Sequence, residues 1–380
     1  MSNGHGEDAI AAHIATEVNR LARIAMDHLA LVGDLPANSA MRAVGPRRAM
    51  PSGGLIAMGN FRNIAADVGA GIISHTLRQW RFLRESRTRY DAVVAVGDAF
   101  ALRMALVTGC RTLYVGTAKS VYVAPYGPLE RGILKRAAGV FVRDEPTAES
   151  LRHHGINAQA AGNVIADFVS SEVSDSPKSS SHELLALLPG SRSAACGDAV
   201  FLAGVLRSVV QARPGVRGAL SIAPGLRAES FAQALRADGW IVKMLAGAQT
   251  PFAALVENQP LLQAWSGDFA ALLPGATLVL GQAGTANEAA AAAGIPVVAF
   301  EEAKGNKTAW YRRRQARLLG DALHVADKDL ASASATVLHL LENAARRDHM
   351  SRIGRERMGP PGGAMRIARE VVDLLQRAPA

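Results

Sequence analysis

Cysteine is nearly absent: Cys110 and Cys196 are the only two in 380 residues. They stand far apart without metal-ligand neighbours, which excludes a disulfide framework and points to a reducing compartment. No zinc-finger spacing, no RNA-binding aromatic motif and no long basic tract occurs, so nucleic acid is not an expected partner. Residues 2–8 are polar where a secretory leader would carry an apolar core, so secretion is not expected. No uninterrupted apolar run reaches membrane-spanning length. The two longest apolar stretches, residues 55–77 and 277–300, are broken by Arg62 and Asp67, and by Gln282, Asn287, Glu288 and Pro296. Acid is in deficit as well. Against 42 basic residues, most of them arginine, stand 33 acidic ones, a balance of +9 that suits an anionic substrate, a nucleotide or a membrane surface without choosing among them.

What is present is a globular composition, 49% apolar and 20% charged, in a chain long enough for two cores. Short β-rich runs alternate with helical patterns, the mark of α/β architecture with parallel sheets. Strands are expected at residues 91–99, 111–117 and 139–145 in the first half, and at 184–191, 218–224, 276–284 and 295–300 in the second. The polar, serine-rich stretch 170–183 reads as a linker. The expected organisation is a first Rossmann-like domain at 1–169, a second at 184–347, and a tail at 348–380. The tail's last helix, about 362–376, packs back on the first domain. Two doubly wound sheets facing each other would make a cleft at their strand C-termini.

The chain opens with Ser-Asn-Gly-His-Gly-Glu-Asp running straight into a helix. Such a turn normally follows a central β-strand, and none precedes it here. Either an apolar strand is encoded in frame upstream or the first sheet has a rearranged centre.

Two segments of the second half carry chemistry. In Leu-Leu-Pro-Gly-Ser-Arg, residues 187–192, an apolar strand meets a turn whose N–H groups, hydroxyl and Arg192 fork suit phosphate; a tight turn with a solvated arginine is the plainer reading. In residues 281–300, the small-residue turn Gly-Gln-Ala-Gly-Thr opens an alanine-rich helix that ends at Gly294. Its N-terminus favours phosphate, and Glu288 in the first turn can take ribose hydroxyls or simply complement the helix dipole. In the first half, Asp98 at a strand end is either a functional acid or the cap of the next helix. Residues 53–80 mix apolar groups with arginine, as a lipid-facing element or a core helix would.

Together the Pro-Gly-Ser-Arg and Gly-Thr-Ala-x-x-Glu turns, in this order, resemble the nucleotide-sugar half of a glycosyltransferase of the GT-B fold. The likeness is to the lipid-A-disaccharide synthase family, and the opening Ser-Asn-Gly-His-Gly-Glu-Asp resembles the branch called lipid-A-disaccharide synthase-related proteins. Ala-Gly-Asn-Val-Ile-Ala-Asp, residues 161–167, extends it to the linker. The resemblance implies an inverting transferase that moves an N-acetylhexosamine or a derivative from a UDP-sugar to a lipid-linked or amphipathic acceptor. It would work in the cytoplasm, with peripheral contact at the inner face of the membrane. Gly190, Ser191 and Arg192 would hold the donor diphosphate, with Gly284 and Thr285 opposite and Glu288 on the ribose. Asn306 and Lys307 would add contacts near sugar or phosphate, unless they only form a polar loop before the next helix. Gly4, His5, Gly6, Glu7 and Asp8 would line the acceptor side. His5 is the first candidate base, because an imidazole exchanges a proton near neutral pH. Glu7, Asp8 and Asp98 are its rivals, each with helix capping as an ordinary alternative. No cofactor and no metal are implied. A UDP-sugar epimerase of the same plan, or a binding protein without catalysis, would share the donor features.

Overall fold

The computed structural model of the protein describes residues 1–32, 40–47, 71–87, 89–117, 119–170, 183–191, 194–256, 259–302 and 309–377. The chain divides into two compact units, Met1–Asp167 with Pro361–Ala380, and Phe168–Pro360.

Unit 1 is built on parallel strands. Strand β1 (Asp27–His28) pairs with β2 (Arg42–Ala43), and β3 (Ala92–Gly97), β4 (Arg111–Gly116), β5 (Gly139–Val142) and β6 (Ala158–Ala160) lie side by side in sequence order. The inner strands read as continuous apolar runs because both their faces are covered; Leu113, Tyr114 and Val115 of β4 are all buried. Helices α1 (His5–Leu21), α2 (Ile72–Glu85), α3 (Ala99–Ala105), α4 (Pro128–Leu134), α5 (Glu145–Arg152) and α6 (Val164–Ser170) alternate with the strands.

At the centre of this sheet, residues 1–3 lie between the segment after β1 and strand β3. Ser2 forms parallel bridges to Ala30 on one side and Val96 on the other. Leu31 N–H donates to Ser2 O (2.9 Å), Val96 N–H to Met1 O (2.8 Å), and the Met1 nitrogen to Val94 O (2.8 Å). Residues 1–3 thus pair with backbone groups of both neighbouring segments.

Unit 2 carries an eight-stranded sheet. Its strands are β7 (Glu183–Leu188), β8 (Val216–Ser221), β9 (Ile241–Met244), β10 (Phe252–Val256), β11 (Gln259–Trp265), β12 (Ala276–Gly281), β13 (Val297–Glu301) and β14 (Leu323–Asp327), in the order β14-β13-β12-β7-β8-β11-β10-β9. Only β10 runs against its neighbours. Its helices are α7 (Ala195–Ala212), α8 (Ala228–Ala237), α9 (Thr285–Ala292), α10 (Ala309–Leu319), α11 (Leu330–Glu342) and α12 (Ala344–Met358). Helix α7 has the length and hydropathy of a membrane span, but Ala199, Leu202, Ala203, Leu206 and Val209 bury it in the core of this unit. The order reverses between β7 and β12, one leading to β8 and the other to β13, which makes their C-terminal ends the topological switch point where open α/β sheets bind ligands.

The final helix α13 (Gly363–Gln376) belongs to unit 1, where it packs on α1. Ile10, Ile14 and Val18 of α1 and Ile367, Val371 and Leu374 of α13 are the buried rows of the two helices. The Asp167 carboxylate caps α13, accepting from the N–H groups of Gly362 and Ala364. The chain leaves unit 2 at Pro360, later than the expected 348, because α12 packs on α9. There Gly354 lies so close to Ala291 O that a Cβ would overlap it. The expected linker lies mostly outside the described residues.

Candidate functional site

The turns after β7 and β12 meet at the switch point of unit 2. Gln282 N–H donates to Leu188 O (2.8 Å) and stitches one turn to the other. Gly190 has φ 92°, a left-handed conformation that glycine adopts without strain. A Cβ there would stand 3.7 Å from Ala283 Cα, so the two turns are in contact. Ser191 is exposed beside them.

A set of side-chain amides holds the second turn from behind. Gln282 bonds to Phe300 through both ends of its amide, donating to the carbonyl at 3.0 Å and accepting from the N–H at 3.4 Å. Gln315 on α10 donates to the carbonyls of Gly284 (3.1 Å) and Ala283 (3.3 Å). Asn287 donates to Gly281 O at 3.1 Å and to Gln315 Oε1 at 3.3 Å. Arg312 donates to both Gln315 Oε1 (3.0 Å) and Gln282 Oε1 (2.5 Å). Asn287, Arg312 and Gln315 are all buried. A Cβ on Gly281 would overlap the Asn287 amide, so glycine there is a packing requirement. With the turn's carbonyls bound from behind, helix α9 starts at Thr285, and its first N–H groups lack intrahelical acceptors, the arrangement that receives anions. Glu288 lies half-buried in that first turn, and Thr285 and Gly284 border it. Arg192, Asn306 and Lys307 lie outside the described residues.

Unit 1 has its own strand-end cluster. Gly4, with φ 143°, leads into α1, and Gly6, Glu7 and Asp8 occupy its first turn. Gly97 ends β3 with φ 132°; a Cβ there would stand 3.4 Å from Glu7 Cγ and 3.5 Å from Asn3 Cβ. Glu7 Oε1 accepts from Thr117 Oγ1 at 3.2 Å. Asp98 Oδ1 accepts from Asn3 Nδ2 (3.1 Å) and from the N–H groups of Phe100 and Ala101 (3.0 Å each), so it caps α3. Beneath them Tyr114 donates its hydroxyl to Gly97 O (2.9 Å) and lies 3.3 Å from the Tyr126 hydroxyl. Burial pushes both phenols well above their ordinary range and keeps them protonated.

The structure therefore brings Gly4, Glu7 and Asp98 together, but it removes Asp8. The Asp8 carboxylate is 1% exposed and accepts the Ser2 hydroxyl proton at 2.5 Å. His28 Nε2 lies 2.6 Å from the same Ser2 oxygen, to which it donates because that hydroxyl's one proton is already used. Asp8 faces the inside of unit 1, a correction to its expected place beside a substrate. Of His5 the structure describes the backbone, as the first residue of α1, and not the side chain.

Sequence reasoning missed the amide frame of Gln282, Asn287, Arg312 and Gln315. Arg312 and Gln315 are three apart on one helix face, a weak signal that surface residues give equally.

No family model and no curated protein matches the chain. Among solved structures, it is similar to a putative UDP-N-acetylglucosamine 2-epimerase from Listeria monocytogenes (TM-score 0.59, 14% identity, 99% of this chain and 94% of that one). It is similar also to the UDP-GlcNAc 2-epimerase from Neisseria meningitidis, whose structure holds UDP-GlcNAc (TM-score 0.59, 11% identity, 98% of each chain). A third is the glycosyltransferase of kitacinnamycin (TM-score 0.54, 15% identity, 98% of this chain and 96% of that one). Such identities speak for the fold alone, and none of the three points to lipid A synthesis in particular. The chain has the GT-B fold.

Proposed function

We propose that the protein is a UDP-sugar enzyme that binds the nucleotide at the β7 and β12 ends of unit 2. The observation that carries this is the pair of stitched turns at the switch point, with the carbonyls of Gly281, Ala283 and Gly284 tied from behind and α9 opening at Thr285. The α9 N–H groups and Arg192 would stabilise the diphosphate, and Glu288 would take the ribose.

The favoured reaction is 2-epimerisation of a UDP-N-acetylhexosamine, supported by similar structures of that name spanning the whole chain. Transfer to a lipid-linked acceptor is the second reading, supported by the Pro-Gly-Ser-Arg turn and by a similar glycosyltransferase. Epimerisation must remove and return the proton on C2, whereas transfer must take one from the acceptor hydroxyl. We assign that duty to His5 or Glu7, since Asp8 is buried and Asp98 serves as a helix cap. The two free cysteines support a cytoplasmic location.

Thermal unfolding with UDP and UDP-GlcNAc tests the binding. At about 100 times the dissociation constant the gain is ~2.7 kcal/mol; no shift with any uridine nucleotide overturns the proposal. Product analysis then separates the reactions: a new UDP-hexosamine without acceptor for epimerisation, UDP release that depends on a glycolipid acceptor for transfer.

A further inference from the structure

Helix α2 of unit 1 turns an apolar stripe outward. Ile73 and Leu77 are each 62% exposed and Trp80 is 41% exposed, at the i, i+4, i+7 spacing of one helix face. The opposite row, His75, Gln79 and Leu83, is buried, and Gln79 Nε2 anchors it by donating to the carbonyls of Ala30, Leu31 and Pro46. The stripe is therefore fixed in orientation. Arg78, Arg81 and Arg84 flank it, against Glu85 as the helix's one acid.

Beside Trp80 the surface sinks into a hollow floored by Leu106 and Val107, with Arg84, Arg87, Arg103 and Arg136 around it. The Arg84 guanidinium lies 5.3 Å from the centroid of the Trp80 ring, and Arg87 Nε donates to Val107 O at 3.2 Å. No carboxylate pairs with any of these four arginines among the described residues. Four guanidinium groups around one hollow repel each other and gather anions.

We propose that this face docks on an anionic phospholipid bilayer, an activity beyond the UDP-sugar chemistry and independent of which reaction is catalysed. Ile73, Leu77 and Trp80 enter the boundary between headgroups and acyl chains, and the arginine-lined hollow takes lipid phosphates. Charge complementarity and the apolar stripe together select the bilayer. A nucleic acid would meet the arginines but leave Ile73 and Leu77 in water.

The test is co-sedimentation of the full chain with phosphatidylcholine vesicles, with and without about 30 mol% phosphatidylglycerol. Binding is expected only with the anionic lipid, weakened about tenfold or more by roughly 0.5 M NaCl. Two variants divide the contributions: Leu77→Ser with Trp80→Ser, and Arg84→Gln with Arg103→Gln and Arg136→Gln. All five side chains are exposed, so wild-type melting is expected, and each variant should lose about tenfold or more in vesicle affinity. Failure of wild type to bind anionic vesicles overturns the proposal, as does undiminished binding by both variants. Loss in the arginine variant alone, with competition by inorganic pyrophosphate, overturns it in favour of a soluble phosphate ligand. Equal binding to RNA with none to vesicles overturns it in favour of nucleic acid. The UDP thermal shift reads the catalytic proposal separately and should be the same in all these proteins.

Discussion

The two units end their central strands in opposite ways. In unit 2 the turn after β12 is framed by the amides of Gln282, Asn287 and Gln315 and the guanidinium of Arg312, and Glu288 is the one acid of the helix it opens. In unit 1 the equivalent turn is crowded with acids: Glu7, Asp8 and Asp98 lie around the ends of the Met1–Asn3 segment and β3. A binding surface for a diphosphate needs fixed N–H groups, whereas proton transfer needs carboxylates or imidazole. The contrast teaches that acidic residues near a strand end are not equivalent. Asp8 is spent on Ser2 and Asp98 on α3, whereas Glu7, bonded to a threonine hydroxyl, and His5 are the groups proposed for proton transfer.

The largest expected effect tests that division. Glu7→Gln or His5→Gln should cut turnover by about 10²–10⁴-fold, whichever of the two transfers the proton, and leave UDP affinity unchanged. Asp98→Asn should stay within tenfold of wild type, since its amide oxygen can still cap α3. Near-normal turnover in both His5 and Glu7 variants, with loss in the Asp98 variant, would move the chemistry to β3 and break the comparison.

Stability comes next. Asp8→Ala leaves the Ser2 hydroxyl and the His28 imidazole buried without the carboxylate, and leaving buried polar groups unsatisfied costs about 1–3 kcal/mol. Urea unfolding reads it, and turnover per folded molecule should be retained. A variant as stable as wild type but inactive would restore Asp8 to the substrate side. Gly281→Ala in unit 2 forces Asn287 aside, with an expected cost of about 1–3 kcal/mol and weakened UDP binding. If that variant binds UDP normally, the amide frame is not what shapes the turn.

The same contrast decides what could be read from the sequence. The turn after β12 was legible because its parts are contiguous: strand, glycine turn and helix lie within 276–292, and periodicity with small residues marks each boundary. The strands β3, β4, β5, β7, β8, β12 and β13 were legible for the same reason, as apolar runs between turns. Strands β9, β10 and β11 were not. Strands β10 and β11 are rich in alanine and leucine and carry little β-branched signal, and β9, Ile-Val-Lys-Met, is short and largely exposed at the sheet edge. The pairing of Ser2 with Ala30 and Val96 at the centre of unit 1 was not legible, because it is made by tertiary position and not by propensity. Asp8 looked like a site residue for a related reason: its partners, Ser2 and His28, are brought to it only by the fold. The amide frame was invisible because Arg312 and Gln315 on a polar helix look like surface.

The smallest expected effect concerns the edge of unit 1, where charge also holds strands together. Asp27 and Arg42 are directly opposite on β1 and β2, with Arg42 Nε 2.9 Å and Nη2 3.0 Å from the carboxylate, and Tyr90 donates its hydroxyl to it at 2.8 Å. The Arg42 hydrogen bonds, then that of Tyr90, hold the Asp27 carboxyl below its ordinary value against the opposing pull of burial. A carboxyl depressed on folding stabilises the native state above its unfolded pKa of about 3.9, and that contribution is lost as pH falls through the folded value. Arg42→Ala removes the largest cause. Its urea midpoint should fall below wild type by a small, constant amount between about pH 5 and 7, and the difference should close as pH drops through the folded pKa. Because Arg42 is largely exposed, about 0.5 M salt should shrink the difference as well. A gap that ignores both pH and salt would mean that Arg42 holds β2 by its aliphatic stem and not by its charge.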